Sequence, residues 1–117
     1  MGLSVGIITF NEEKRLERTL ESVKSFADEV IIVDSGSTDK THEIAQKFSA
    51  NFFVESWKGY GLQKNSVIDK CKEDWILLID ADEVISPELK NKIIEIVNQS
   101  KDDVYEVNFT SVCFGKK

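Results

Sequence analysis

The chain has 117 residues, 41% of them hydrophobic, with 15 basic against 21 acidic side chains and a net charge of -6. Those numbers fit one globular domain, residues 1–117, with one core and roughly two-thirds of its unfolded surface buried. The acidic surplus excludes sequence-independent nucleic-acid binding, which needs a basic footprint, and no apolar run approaches the ~20 residues that span a bilayer.

Leu3 to Thr9 is apolar and β-branched and reads as a central strand. Its start, Met1-Gly2-Leu3, has no basic region, so no signal peptide is expected. Glu12 to Ser25 carries Leu16, Leu20 and Val23 at helical spacing, with Asn11 as its candidate cap. Val30 to Val33 is a second strand ending at Asp34, and Ser35 to Asp39 is a turn offering several N-caps. The next helix turns Ile44, Ala45 and Phe48 inward. Phe52 to Val54 is a short third strand, followed by a loop from Trp57 to Gly61. Leu62 to Lys72 reads as a helix with Val67, Ile68 and Cys71 inside. Trp75 to Ile79 is a fourth strand ending at Asp80. Ser86-Pro87 opens a helix, serine as N-cap and proline at the first helical position, with Leu89, Ile93, Ile96 and Val97 inward. Val104 to Phe109 reads as a fifth strand. Cys71 and Cys113 form neither a metal-ligand pattern nor a disulfide framework, which points to a reducing cytosol.

Continuous apolar strands alternating with amphipathic helices mean an α/β fold, a mostly parallel sheet covered on both faces. Ligands of such sheets sit beyond the carboxyl ends of the strands. Three strand ends carry chemistry: Thr9-Phe10-Asn11-Glu12, Asp34-Ser35-Gly36-Ser37 and Asp80-Ala81-Asp82-Glu83. A strand order of 3-2-1-4 would bring them to one rim. A nucleoside diphosphate suits that rim. Asp34 can accept a base N–H, and Phe10 offers a stacking face worth roughly 1–3 kcal/mol. The Asp80-x-Asp82 pair can hold a ribose hydroxyl and a Mg²⁺ or Mn²⁺ ion, since Mg²⁺ is typically bound by one or two carboxylates plus phosphate. Each residue also has a plainer reading. Asp34 can end a strand and start a turn, Phe10 can be core, and Gly36 can serve only a positive φ. A D-x-D among 21 acidic residues carries weight only through its place after a buried strand. Trp57-Lys58-Gly59-Tyr60-Gly61-Leu62-Gln63-Lys64-Asn65 is either a surface loop with Trp57 on the core or a cover for a flat ligand. Lys64 there can offset phosphate charge or bond a base carbonyl. His42 is assigned no role.

The segments Ser4 to Glu12, Val30 to Asp39 and Ile79 to Glu83 resemble, in order and spacing, glycosyltransferase family 2, the inverting GT-A enzymes. The resemblance covers nearly the whole chain. Trp57 to Asn65 and Val112 to Lys116 are similar to the lipopolysaccharide-core β-1,4-glucosyltransferase branch. The resemblance implies a Rossmann-like GT-A fold and a nucleotide-diphosphate sugar donor, UDP-linked, with Mg²⁺ or Mn²⁺. It implies a glycan or lipid-linked glycan acceptor, a cytoplasmic setting and peripheral contact with the inner membrane face. The residues it implies for substrate binding are Thr9, Phe10, Asn11, Glu12, Asp34, Gly36, Lys64, Asn65, Asp80 and Ala81. Asp82 and Asp80 would hold the metal. Phe10 stands where tyrosine is common, which preserves the stacking face. Family members continue into an acceptor site and an acidic general base; no position here matches that base motif, so a fold truncated on its C-terminal side, weak or inactive in transfer alone, is expected. Two other classes fail on motif. A phosphorelay receiver needs an acidic pair after strand one, an aspartate after strand three and a lysine after strand five, whereas strand one ends Thr9-Phe10-Asn11-Glu12 and strand three ends at Glu55. A dinucleotide-binding domain wants G-x-G-x-x-G after strand one, and none is present.

Overall fold

A computed structural model describes residues 2–99, 107–109 and 112–116. The chain runs β1 (Leu3–Thr9), α1 (Leu16–Val23), β2 (Glu29–Asp34), α2 (Thr41–Lys47), β3 (Asn51–Val54), α3 (Tyr60–Lys70), β4 (Trp75–Asp80), α4 (Pro87–Gln99), β5 (Val107–Phe109) and β6 (Val112–Lys116). They build one six-stranded sheet in the order β3-β2-β1-β4-β6-β5. The first four strands are parallel, in the 3-2-1-4 order on which a shared rim depended, with Thr9 beside Asp34 and Ile8 beside Asp80. The ends of β2, β1 and β4 therefore lie side by side.

Alternation along the strands sorts two cores. Leu3, Val5 and Ile7 of β1, Ile32 of β2, and Trp75, Leu77 and Ile79 of β4 face α1, α2 and α4. Ile31, Val33 and Ile76 face α3 through Val67 and Cys71. Gly6 lies on this second face, where a Cβ would sit 2.3 Å from Val67 Cγ1 and 2.9 Å from Leu78 Cδ2. Only a glycine lets α3 come this close to β1.

Several element boundaries depart from expectation; α1 stops at Val23 rather than Ser25 and α3 at Lys70 rather than Lys72. α1 begins at Leu16, not Glu12, and Asn11 does not cap it. Asn11 instead takes a positive φ of 52° and joins the neighbouring loop, which is why residues 12–15 form a turn rather than a first helical turn. α3 begins at Tyr60, two residues early, because Gly59 turns the chain at φ 95° and its carbonyl accepts the Gln63 N–H. A sixth strand that was not expected follows the fifth. β6 inserts between β4 and β5, antiparallel to both, and seats Val112 and Phe114 in the main core. Of the expected strand Val104 to Phe109, residues 104–106 lie outside the described residues. Ser86 caps α4 as expected, its Oγ accepting the Leu89 N–H at 3.2 Å. Among the described residues no helix is long and apolar enough to cross a membrane.

Candidate functional site

The loops after β1 and β2 are laced together. Asn11 N–H donates to Ser37 Oγ at 2.7 Å, and Thr38 N–H donates back to Asn11 Oδ1 at 2.9 Å. Glu12 N–H reaches Thr41 Oγ1 at 2.8 Å and Glu13 N–H reaches Asp39 Oδ2 at 3.1 Å. None of the Ser35 to Asp39 side chains caps α2, whose N-cap position is Lys40; Asp39 instead closes a tight turn just before the helix, its Oδ1 accepting the Thr41 N–H at 2.9 Å. Asp34 lies buried at the centre of the lacing. Its Oδ1 accepts the Thr9 and Ser37 hydroxyls, at 2.6 and 2.5 Å. Its Oδ2 accepts the Gly36 and Ser37 N–H groups, at 2.8 and 2.6 Å. A carboxylate has about four acceptor positions, so these are filled. A base N–H reaches Asp34 only by displacing one of these donors. Gly36 is exposed at φ 105°, a shape that a side chain would strain.

The loop after β4 is fixed from the other side. Ala81 is buried while Asp80 and Asp82 flanking it are exposed, so the D-x-D turn rests on its middle residue. Thr19 Oγ1, buried in α1, donates to the Ala81 carbonyl at 2.7 Å. Ser22 Oγ accepts the Ile85 N–H at 3.0 Å. Sequence reasoning missed both hydroxyls. The available signal was Thr19 standing among Leu16, Leu20 and Val23 on the inner stripe of an amphipathic helix, where a polar residue needs a partner.

Between these loops opens a cleft of about 580 Å³. It is lined by Ile8, Thr9 and Ser35 at the ends of β1 and β2, by Asp80, Ala81 and Asp82 at the end of β4, by Phe10 and Glu12 of the loop after β1, and by Trp57 and Tyr60 of the segment that leads into α3. Six of the expected residues thus meet in one place: Thr9, Phe10, Glu12, Asp80, Ala81 and Asp82. Phe10 is 57% exposed and is not core. Asn11, Asp34 and Gly36 do not line the cleft; they shape the loops that do. Half-buried Lys64 lies in a narrow recess with Gly6, Ile8, Leu78 and Asp80, beside the cleft rather than in it. Exposed Asn65 belongs to neither. Ser35 was not singled out; its Oγ is buried with no hydrogen-bond partner among the described residues.

The Trp57 to Tyr60 segment is held by Glu55. One carboxylate oxygen meets Lys58 Nζ and Ser66 Oγ and the other meets Lys70 Nζ, each at 2.6 Å. The hydrogen bonds from Lys58, Lys70 and Ser66 hold the Glu55 carboxyl at about 2, below its ordinary 4.5.

Among the described residues no three His, Cys, Asp or Glu side chains group as a complete metal site. Two exposed carboxylates on a cleft fit a hard cation that fills its shell with phosphate and water, the habit of Mg²⁺, and do not fit a closed structural zinc site.

Comparison with known proteins accords with this geometry. The sequence profile described as Glycosyl transferase family 2 matches residues 4–115. An uncharacterized glycosyltransferase of Rickettsia bellii is 50% identical over 103 residues, 88% of this chain and 35% of its own length. The lipopolysaccharide core biosynthesis glycosyltransferase LpsC of Rhizobium meliloti is 37% identical over 107 residues, 87% of this chain and 39% of its own. The chain thus spans a little over a third of the length of these relatives. Residues 1–349 of S. aureus TarS, crystallised with UDP, superpose with a TM-score of 0.70 at 26% identity, covering 89% of this chain and 34% of that one. Glucosyl-3-phosphoglycerate synthase from Mycobacterium tuberculosis, crystallised with Mn²⁺, UDP and glucosyl-3-phosphoglycerate, shares the fold at a TM-score of 0.69 and 22% identity, over 86% of this chain and 40% of that one. With its GT-A sheet and a family match running almost from end to end, the chain belongs to glycosyl transferase family 2.

Proposed function

We propose that residues 1–117 form the donor-binding part of a glycosyltransferase, holding a nucleoside-diphosphate sugar, UDP-linked, for inverting transfer to a glycan or lipid-linked glycan. The observation that carries this reading is the meeting of Thr9 to Glu12, Ser35 and the Asp80/Asp82 pair in one cleft. Asp80 and Asp82 would hold Mg²⁺ or Mn²⁺, with Asp80 also on the ribose side of the site; such a cation would supply neutralisation of charge on the leaving diphosphate. Phe10 supplies a base-stacking face, and Glu12 and the Ser35 hydroxyl supply polar contacts along the nucleoside. Asp34 acts chiefly through the loop it organises, with Asn11 and Gly36 as parts of that loop. Lys64, in the recess beside the cleft with Asp80, offsets the charge of the acidic rim.

Inverting transfer needs a base that takes the acceptor proton. Neither Asp82 nor Glu83 is assigned that task, and the base and acceptor site are placed in the part of the relatives that lies outside the match. The name of the Rhizobium relative supports a lipopolysaccharide-core acceptor.

Titration calorimetry with UDP, with and without Mn²⁺, tests the donor site. Saturable binding that depends on Mn²⁺ and is lost in Asp82→Ala is the expected result. At a ligand concentration of 100 Kd it would add about 2.7 kcal/mol to stability. No heat and no thermal shift at millimolar UDP and Mn²⁺ would overturn the assignment.

A further inference from the structure

Two exposed aromatics in the cleft lining have no packing role in either core. Trp57 is 50% exposed and Tyr60 72%, yet their rings meet almost at right angles, 88° with centroids 4.8 Å apart. That contact fixes the plane of the indole without burying it. The segment that carries them is held at its base by the Glu55 bridges to Lys58, Ser66 and Lys70. Gly59 turns it at φ 95° with no atom near the position of a Cβ. With Phe10, Trp57 and Tyr60 give one cleft three exposed aromatic rings, a grouped apolar lining of the kind that marks a ligand groove.

The sheet says which part of a ligand meets them. Phe10 leads toward α1 on one face of the sheet, and Tyr60 opens α3 on the opposite face. The rim of β1 runs between them. The segment bearing Trp57 leaves β3, which pairs with β2, so it rises on the side away from β4. From β4, where Asp80 and Asp82 stand, to β2 is two strand spacings, about 10 Å. A nucleotide whose diphosphate lies at the carboxylates extends its base toward β2.

Resting on the donor-site reading, we infer that Trp57 is a second aromatic wall for the nucleobase, so that the base is gripped between the indole and Phe10. Tyr60 positions the indole and does not itself stack. Stacking reads the π-face of a base rather than its edge, so this wall contributes affinity for any nucleobase and leaves the choice among bases to the polar groups of the cleft.

The chain has two tryptophans, and Trp75 is fully buried, so quenching by acrylamide reports on Trp57. UDP with Mn²⁺ should change the emission and protect it from acrylamide, whereas inorganic pyrophosphate with Mn²⁺, which has no base, should leave both unchanged. By calorimetry Trp57→Ala should weaken UDP about 5- to 150-fold and pyrophosphate not at all, while Trp57→Phe should recover most of the loss. Both variants should keep the wild-type melting temperature within a few degrees. If wild type binds UDP but Trp57→Ala binds it equally well, or if pyrophosphate is weakened in parallel, the stacking wall is wrong and the donor site stands. If wild type binds neither ligand, both fall. Protection of Trp57 by phosphatidylglycerol vesicles but not by UDP would assign the loop to a membrane and overturn the inference.

Discussion

The hydroxyl of Thr19 is the most informative single atom to remove. It donates to the Ala81 carbonyl at 2.7 Å, and both residues are buried. A second approach, to the Arg15 carbonyl at 3.4 Å, is too long to compete for the one proton. Thr19→Val keeps the shape and leaves the Ala81 oxygen without that donor, which costs about 1–3 kcal/mol. For a domain of this size each kcal/mol moves the melting point by about 4 °C, so a fall of about 4–12 °C is expected. Thr19→Ser keeps the donor and loses one methyl, about 1 kcal/mol. The two variants should then differ in function more than in stability. Thr19→Val should weaken Mn²⁺-dependent UDP binding, because the turn bearing Asp80 and Asp82 loses its tether, and Thr19→Ser should not. Urea unfolding followed by circular dichroism measures the first quantity and calorimetry the second. A Thr19→Val protein within 0.5 kcal/mol of wild type, with unchanged UDP affinity, would show that the tether carries nothing.

Two further expectations can be checked by unfolding alone. Gly6→Ala should destabilise by about 1–3 kcal/mol, since its Cβ would fall 2.3 Å from Val67 Cγ1; adding Val67→Ala should then cost less than it does in the wild-type background, and strict additivity would refute the clash. Glu55 contributes stability that is fully present above pH 4.5 and is lost as pH falls from there toward about 2, because its folded form binds protons less readily than the unfolded chain. The melting temperature of wild type minus that of Glu55→Gln should therefore shrink across that window, and a constant difference would refute the assignment.

The first four strands and their polar ends were legible in the sequence, because each strand is a continuous apolar run; their order was not, since apolar runs mark strands without saying which lie side by side. The D-x-D pair was legible through its place after such a run. Nor could the division of labour inside the loops be read. Asp34 looks like a ligand contact, but Thr9, Gly36 and Ser37 supply four donors to it, and nothing short of coordinates counts them. Asn11 looks like a helix cap, but its side chain finds Thr38, 27 residues away. Gln63 lies fully buried in α3 with its Nε2 on the Glu55 carbonyl, where polarity alone would have turned it outward. β6 was missed because Val112 to Lys116 is short and glycine-bearing, and becomes a strand only by pairing with β4. In each case a distant partner decides the local outcome.

The lacing of the first two loops also bears on how such a protein can be altered. Backbone donors of Asn11, Glu12 and Glu13 terminate on side chains from Ser37 to Thr41, and Thr38 and Lys40 return the bond to Asn11 and Glu13. Neither ribbon keeps its form without the other. Transplanting one of them from a paralogue would strand amides on both sides of the graft, so exchange of this edge of the cleft between relatives requires moving residues 10–13 and 35–41 together.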